Sequence, residues 1–353
     1  MPRKRPKGVV GVGWACFASA MLGRTEHVPM SKDYPDTMVR RTSFAAGGDL
    51  GWRISALESP RDTPAPWKIV VITGSPSWAE YWAPVLAALP EDREMVVVDR
   101  PGFGASEPAD HVPDLEVQAL ALSPLLKAAP GQKILLVGQS YGAAIATLMA
   151  KGYGRRVRGL VLLSGYYGEP GPTARWLLDT GGKALPLIPR DLRNAVLEVT
   201  GQPEQLGPVR KALSELRTPI HLIHGDRDDF APLDAAERLM AEIKVRHSIR
   251  LERVEGADHF INDGPTDRLL AALDAPYRDR GPDDPYRQPP APVPAVPGLA
   301  VPAKGRSRRP MGAAASRPTA PSVDVRPADD AGARLGVGSR RLQAFWGKPS
   351  WPP

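Results

Sequence analysis

Short runs of β-branched and aliphatic residues alternate along this chain with longer stretches whose apolar positions recur every three or four residues. The runs fall at 68–72, 94–98, 133–137, 159–163, 219–223 and 248–254. From 94–98 to 219–223 they are nearly continuous in Val, Leu and Ile, the pattern of strands covered on both faces of a parallel sheet. The intervening periodic stretches predict helices at about 79–88, 115–128, 141–152, 233–244 and 265–275. Ahead of them, residues 38–56 read as a hairpin turning at Gly47-Gly48-Asp49. Arg40-Arg41 lies in its first arm and reads as a solvated strand, since no apolar segment follows to make a twin-arginine signal. Strands and helices in this alternation predict an α/β fold with a doubly wound, mostly parallel sheet.

One interval breaks the alternation. Between Leu163 and Pro219 lie 55 residues without a convincing strand but with helical patterns near 173–178, 190–199 and 203–216. An excursion of that length after the sixth strand predicts a small helical lid over about 165–218. The alternative is a long helical crossover with no covering role.

Composition sharpens the domain picture. The 353 residues carry a formal charge of +7, which on its face suggests an anionic partner such as nucleic acid. Residues 1–30 hold five basic residues and one acidic, and residues 277–353 hold thirteen basic and six acidic. The stretch between them has 28 basic residues against 32 acidic, so no nucleic-acid partner is expected. The last 77 residues also hold fifteen of the forty prolines and few large apolar residues, the composition of a disordered tail. At the other end, Arg3, Lys4, Arg5 and Lys7 precede an uncharged stretch containing Ala18-Ser19-Ala20. That order reads as a secretory signal cut after Ala20, and predicts an exported protein. The competing reading is a misassigned start, with Met21, Met30 or Met38 beginning a cytoplasmic protein. Peripheral contact with a membrane or envelope, if there is any, would run through these basic ends. One cysteine, Cys16, allows no internal disulfide. The expected organisation is a targeting segment at 1–30, an α/β domain at 31–276 and a tail at 277–353.

The candidate chemistry begins at Val137-Gly138-Gln139-Ser140-Tyr141-Gly142-Ala143. A buried strand ends, a serine follows between two glycines, and a helix of small residues begins. Such a turn forces the serine into a strained backbone conformation and lifts its hydroxyl clear of the sheet. A serine hydroxyl becomes a useful nucleophile only when a neutral imidazole takes its proton and a carboxylate orients that imidazole.

From Lys68 to Leu273 the chain resembles the α/β-hydrolase superfamily. His224-Gly225-Asp226-Arg227-Asp228 is similar to that family's acid loop, and Gly256-Ala257-Asp258-His259-Phe260 to its histidine loop. The resemblance implies Ser140 as nucleophile, Asp228 as acid and His259 as base, in the family's chain order. Asp226 and Asp229 compete with Asp228 for the acid role, with spacing from Gly225 favouring Asp228. Asp226 is the more natural turn cap, Asp258 a loop hydrogen-bonder, and the other five histidines structural or solvated. Ile72-Thr73-Gly74-Ser75-Pro76 occupies the place of the family's His-Gly-x-Pro loop, with Thr73 where the histidine usually stands. In that match the backbone N–H groups of Ser75 and Tyr141 form the oxyanion hole. Asp99-Arg100-Pro101-Gly102-Phe103-Gly104-Ala105-Ser106 resembles a turn common in the family and reads as mainly structural.

The resemblance implies a serine esterase or lipase-like enzyme acting on a small, ester-like, apolar substrate. Trp78, Tyr166 and Trp176 fall near expected loop or lid segments and are candidate substrate contacts. A serine at the turn argues against the superfamily's aspartate-dependent epoxide hydrolases and haloalkane dehalogenases. Carbon–carbon bond hydrolases, lactonases, amidases and perhydrolases share the same three residues and remain open. A hydrolase fold kept as a non-catalytic binding module is a reading of another class, and the intact Ser140, Asp228 and His259 set weighs against it. No metal-ligand spacing, phosphate loop or dinucleotide fingerprint is present, so neither metal nor cofactor is expected.

Overall fold

The computed structural model describes residues 39–273, apart from residues 60, 155, 244–248, 264–268 and 271–272. The expected targeting segment and tail lie outside the described residues. β1 (Arg40–Ala45) and β2 (Arg53–Ser59) form the expected hairpin, with Arg40 opposite Glu58 and Ala45 opposite Arg53. Gly48 and Asp49 in its turn both take left-handed backbone conformations, φ 71° and 52°. β3 (Trp67–Ile72), β4 (Arg93–Val98), β5 (Lys133–Gln139), β6 (Val157–Leu163), β7 (Ile220–Gly225) and β8 (Ile249–Val254) follow. They assemble into one eight-stranded sheet in the order β1-β2-β4-β3-β5-β6-β7-β8. β2 meets β4 antiparallel, and every neighbouring pair from β4 through β8 is parallel.

Two apolar clusters, one on each face, explain why these strands lack polar alternation. Val70, Ile72, Val96, Val98, Leu136 and Leu162 point into one cluster, while Ile69, Val71, Met95, Val97, Val137 and Val161 point into the other. Successive side chains of a strand face opposite sides, so a strand buried twice must be apolar throughout.

The first cluster is closed by α2 (Leu115–Leu122), α3 (Gly142–Tyr153), α6 (Leu206–Glu215) and α7 (Leu233–Glu242). The second is closed by α1 (Ala83–Ala87), the 3₁₀ turn before it, and the buried helical residues Leu269, Leu270 and Leu273. The remainder of the helix expected at 265–275 lies outside the described residues. Two expected helices are shorter than their apolar periodicity suggested. The one at 79–88 opens as a 3₁₀ turn at Ala79–Trp82 with Pro84 in the first turn of α1, and the one at 115–128 gives way to 3₁₀ structure at Ser123–Leu126. Proline supplies no N–H and clashes with the preceding turn, so each boundary falls where it enters.

The excursion after β6 holds α4 (Pro172–Lys183), α5 (Arg190–Gly201) and α6. α4 runs well past the expected 173–178, through Gly181-Gly182, despite the low helix propensity of glycine. A Cβ at Gly181 would lie 2.8 Å from Val196 Cγ2, so the missing side chain lets α4 and α5 approach closely. None of the residues of α4 is buried, whereas α5 buries Asp191, Asn194, Ala195 and Glu198. Arg41 is not simply solvated: its guanidinium bonds Asp99 at 2.6 Å and Ser55 at 2.5 Å, and also pairs with Glu80. It ties the hairpin to the loop after β4. No helix among the described residues is long and apolar enough to cross a membrane.

Candidate active site

Four loops converge at the carboxyl ends of the central strands. Ser140 sits between β5 and α3 at φ 50°, a conformation held by Ser140 N–H donating to the Leu163 carbonyl at 2.9 Å. The Ser140 carbonyl in turn accepts from Ala143 N–H at 3.0 Å and Tyr166 N–H at 3.1 Å. The two flanking glycines are required by close approach. A Cβ at Gly138 would meet Ala143 Cα at 2.7 Å, and one at Gly142 would meet the Ile72 carbonyl oxygen at 2.2 Å.

His259 Nε2 lies 3.0 Å from Ser140 Oγ, and its Nδ1 lies 2.8 Å from Asp228 Oδ2. Asp228 closes the loop after β7: its Oδ1 accepts from Phe230 N–H at 3.0 Å and Ala231 N–H at 2.8 Å. The competing aspartates face elsewhere. Asp226, expected to cap its own turn, instead accepts from Gly256 N–H at 2.7 Å and clips the acid loop to the histidine loop. Asp229 meets the Thr173 hydroxyl, and Asp258 accepts from Phe260 N–H at 2.9 Å. Phe230 stacks on the His259 ring at 5.4 Å and Phe260 meets it edge-on at 5.2 Å, which leaves little freedom for the imidazole.

Burial and pairing pull these groups in opposite directions. Burial alone would raise the Asp228 carboxyl, but the charge of His259 and the bonds from His224 and His259 hold it well below the usual carboxylate range. For His259, burial disfavours the charged ring, and the adjacent Asp228 carboxylate outweighs it and raises the imidazole above its ordinary value.

His224, expected to be structural or solvated, is buried beside the acid. Its Nε2 lies 3.2 Å from Asp228 Oδ2 and 2.7 Å from the Ala231 carbonyl, so Asp228 stands between two histidines. The spacing signal for it was present, since His224 precedes Asp228 by four residues across a tight turn.

The loop after β3 runs alongside Ser140: a Cβ at Gly74 would be 3.0 Å from Ser140 Cβ and 3.5 Å from Oγ. Neither Ser75 N–H nor Tyr141 N–H donates to another group among the described residues. The Tyr141 side chain is buried, and its ring lies under the Arg100 guanidinium at 4.8 Å. Tyr166 is buried next to Ser140, and its hydroxyl reaches the Val199 carbonyl at 3.4 Å. Trp78 is buried and its Nε1 donates to Asp191 Oδ2 at 2.6 Å, which makes it part of the seam under α5. Trp176 lies on α4 at 40% exposure. Among the described residues no cluster of His, Cys, Asp and Glu side chains could hold a metal ion.

The turn Asp99–Ser106 does more than shape the chain. Asp191 of α5 accepts from Gly104 N–H at 3.1 Å, Asn194 donates to the Gly102 carbonyl at 2.7 Å, and Arg190 donates to the Gly104 carbonyl at 2.8 Å. Burial pushes the Asp191 carboxyl up to about 6, against the donors that surround it. Residues 191, 194, 198 and 202 are all buried and all polar. They repeat at helical spacing, which in a sequence reads as a solvated face and gave no sign of this contact.

Comparison with known proteins adds the family. A 2-hydroxy-6-oxononadienedioate/2-hydroxy-6-oxononatrienedioate hydrolase 2 of Pseudomonas putida is 27% identical over 220 residues, 50% of this chain and 76% of that protein. A 104-residue stretch is 32% identical to the chloroplastic protein PHYLLO of Arabidopsis thaliana, covering 27% of this chain but only 6% of that protein. In structure, a 2-hydroxy-6-oxo-6-phenylhexa-2,4-dienoate hydrolase from Rhodococcus superposes with a TM-score of 0.54 at 17% identity, covering 68% of this chain and 99% of the other. That likeness concerns the fold. Residues 69–273 match the Alpha/beta hydrolase family across the whole span from β3 to the last described helical residue, and the chain belongs to that family.

Proposed function

We propose that the chain is a serine hydrolase that cleaves a carboxylic ester, or a related acyl bond, of a small apolar molecule. The observation that carries this reading is the continuous line from Asp228 through His259 to Ser140 Oγ, at 2.8 and 3.0 Å. Ser140 Oγ attacks the carbonyl carbon as its proton passes to His259 Nε2. The developing oxyanion is received by the N–H groups of Ser75 and Tyr141, both without another acceptor among the described residues. The C–O bond to the alcohol breaks, the alcohol leaves with the His259 proton, and Ser140 keeps the acyl group. Water then loses a proton to His259 and adds to the acyl carbon, and as the bond from that carbon to Ser140 Oγ breaks His259 returns the proton to Oγ, releasing the acid and free serine.

A fluorophosphonate probe should label the wild type and leave Ser140→Ala unlabelled. Turnover of short p-nitrophenyl esters should fall by about 10⁴-fold in Ser140→Ala and His259→Ala. A folded wild type that neither labels nor turns over would overturn the reading.

The second reading is cleavage of a carbon–carbon bond. It is favoured by the Pseudomonas putida relative, whose named substrates are keto-dienol diacids with no ester to hydrolyse. Turnover of such a dienoate, followed by loss of its visible absorbance, with p-nitrophenyl esters left intact, would select it. Export is proposed from the basic and small-residue N-terminal segment, and intact-mass measurement after bacterial expression tests for a cut after Ala20.

A further inference from the structure

Arg100 and Glu198 form an ion pair in which neither side chain has any solvent exposure, joined by two bonds of 2.7 and 2.8 Å. Every N–H of the guanidinium is engaged. Besides Glu198, Nε donates to the Thr73 carbonyl at 2.9 Å, Nη2 to the Gly74 carbonyl at 2.8 Å, and Nη1 to Gln118 Oε1 at 2.8 Å. Each oxygen of Glu198 takes a second donor: Gln118 Nε2 at 2.9 Å on one, the Ser75 hydroxyl at 3.0 Å on the other. Such a pair contributes little net stability by default, because a buried ion pair can often be replaced by apolar residues without loss.

Its placement points to another role. The two carbonyls it holds are consecutive carbonyls of the loop beside Ser140. The Gly74 carbonyl and the Ser75 N–H belong to one trans peptide, where C=O and N–H point in opposite directions. A guanidinium fixed on the carbonyl therefore aims the N–H in the opposite direction within the peptide plane, and it polarises the peptide so that the N–H is a stronger donor. The hydroxyl of the same Ser75 is anchored on Glu198. Thr73 stands where the resembling family has a histidine, and among the described residues its hydroxyl reaches Ser77 and the Val98 carbonyl.

We infer that the Arg100–Glu198 pair positions the oxyanion donor of Ser75, with Glu198 reaching in from α5. Helix α5 is then a fixed part of the catalytic apparatus, and the Asp99–Ser106 turn supplies a positioning residue. This rests on the serine hydrolase reading, and the experiment separates the two.

Wild type, Glu198→Gln, Ser75→Ala and Ser75→Thr are compared for kcat and KM on a p-nitrophenyl ester, for thermal melting, and for affinity to a trifluoromethyl ketone. That ketone forms a tetrahedral oxyanion adduct with a nucleophilic serine. Loss of a whole oxyanion donor costs about 10²–10³ in kcat, so a misaimed one should cost less. Glu198→Gln should lower kcat about 10- to 100-fold with KM within about twofold, and weaken the ketone in parallel. Ser75→Ala should lower kcat and ketone affinity several-fold at a temperature well below its melting transition, where the variant is fully folded, and Ser75→Thr, which keeps the hydroxyl, should restore both. A folded Glu198→Gln with wild-type kcat and ketone affinity would overturn the inference. If Glu198→Gln does not fold, unchanged kcat and ketone affinity in Ser75→Ala overturn it instead. A wild type inert to both ester and ketone would sink the serine hydrolase reading, and this inference with it.

Discussion

At the scale of single residues, the site is decided by which atoms face each other. The loop after β7 offers three aspartates within four positions, and only Asp228 turns its carboxylate to the imidazole. Asp228→Asn should therefore lower kcat/KM by about 10²–10⁴-fold, while Asp226→Asn, which loses only the clip to Gly256, should keep most activity and lose some stability. The raised His259 also predicts the pH profile. A general base must be neutral, so kcat/KM should rise with pH through an inflection above the ordinary imidazole value of about 6.5. Replacing Asp228 removes the carboxylate that raises the ring, and the residual activity of Asp228→Asn should titrate at lower pH. An inflection that stayed put would show that Asp228 is not the dominant neighbour. Ser140, Asp228 and His259 were legible in the chain because each sits in a short motif whose shape is local. Arg100 and Glu198 were not, since nothing in their neighbourhoods says that their side chains meet each other across 98 positions, and His224 was marked only by its four-residue spacing from Asp228.

At the scale of elements, close approach is the organising constraint. Helix α3 lies directly on the ends of β3 and β5, which only glycine at 138 and 142 permits. Gly142→Ala places a methyl 2.2 Å from the Ile72 carbonyl oxygen. It should destabilise the protein by about 1–3 kcal/mol, the range for overpacking, toward the upper end because the obstacle is backbone. Chemical denaturation measures this, and a loss below about 0.5 kcal/mol would mean that α3 can shift freely. Continuous apolar runs made the strands easy to recognise, and prolines at 84 and 124 explain where one helix begins late and another ends early. The polar stripe of α5 misleads for an equally physical reason. Periodicity reports that a helix has two faces but not which one meets protein, and here the polar face docks on the Asp99–Ser106 turn.

At the scale of the whole molecule, several shifted groups make stability vary with pH. Glu80, pushed up to about 7 by burial, acts in the same sense as Asp191, and His221, lowered by burial, in the same sense as Asp228. Asp228 titrates lower in the folded protein than unfolded, so its contribution is present above the ordinary carboxylate range and is lost on acidification. Asp191 and His259 are raised, so theirs are fullest at low pH and are lost as pH climbs, for Asp191 through about 6. The melting temperature should therefore peak in mildly acidic solution, between about pH 4 and 6, and fall toward pH 8. Asp191→Asn should flatten the decline around pH 6. A wild-type melting temperature that rises steadily from pH 5 to 8 would contradict this assignment.

The sequence by itself determined the fold class, the succession of strands and helices, the length of the excursion after β6, and the serine, acid and histidine motifs. These follow from periodicities and turns that span at most a few residues. Only the tertiary structure decided the strand order, the meeting of Ser140, His259 and Asp228, and the buried Arg100–Glu198 pair. Each of those depends on contacts between segments far apart in the chain. Local patterns state which groups a residue can satisfy, and folding alone states which partner it receives.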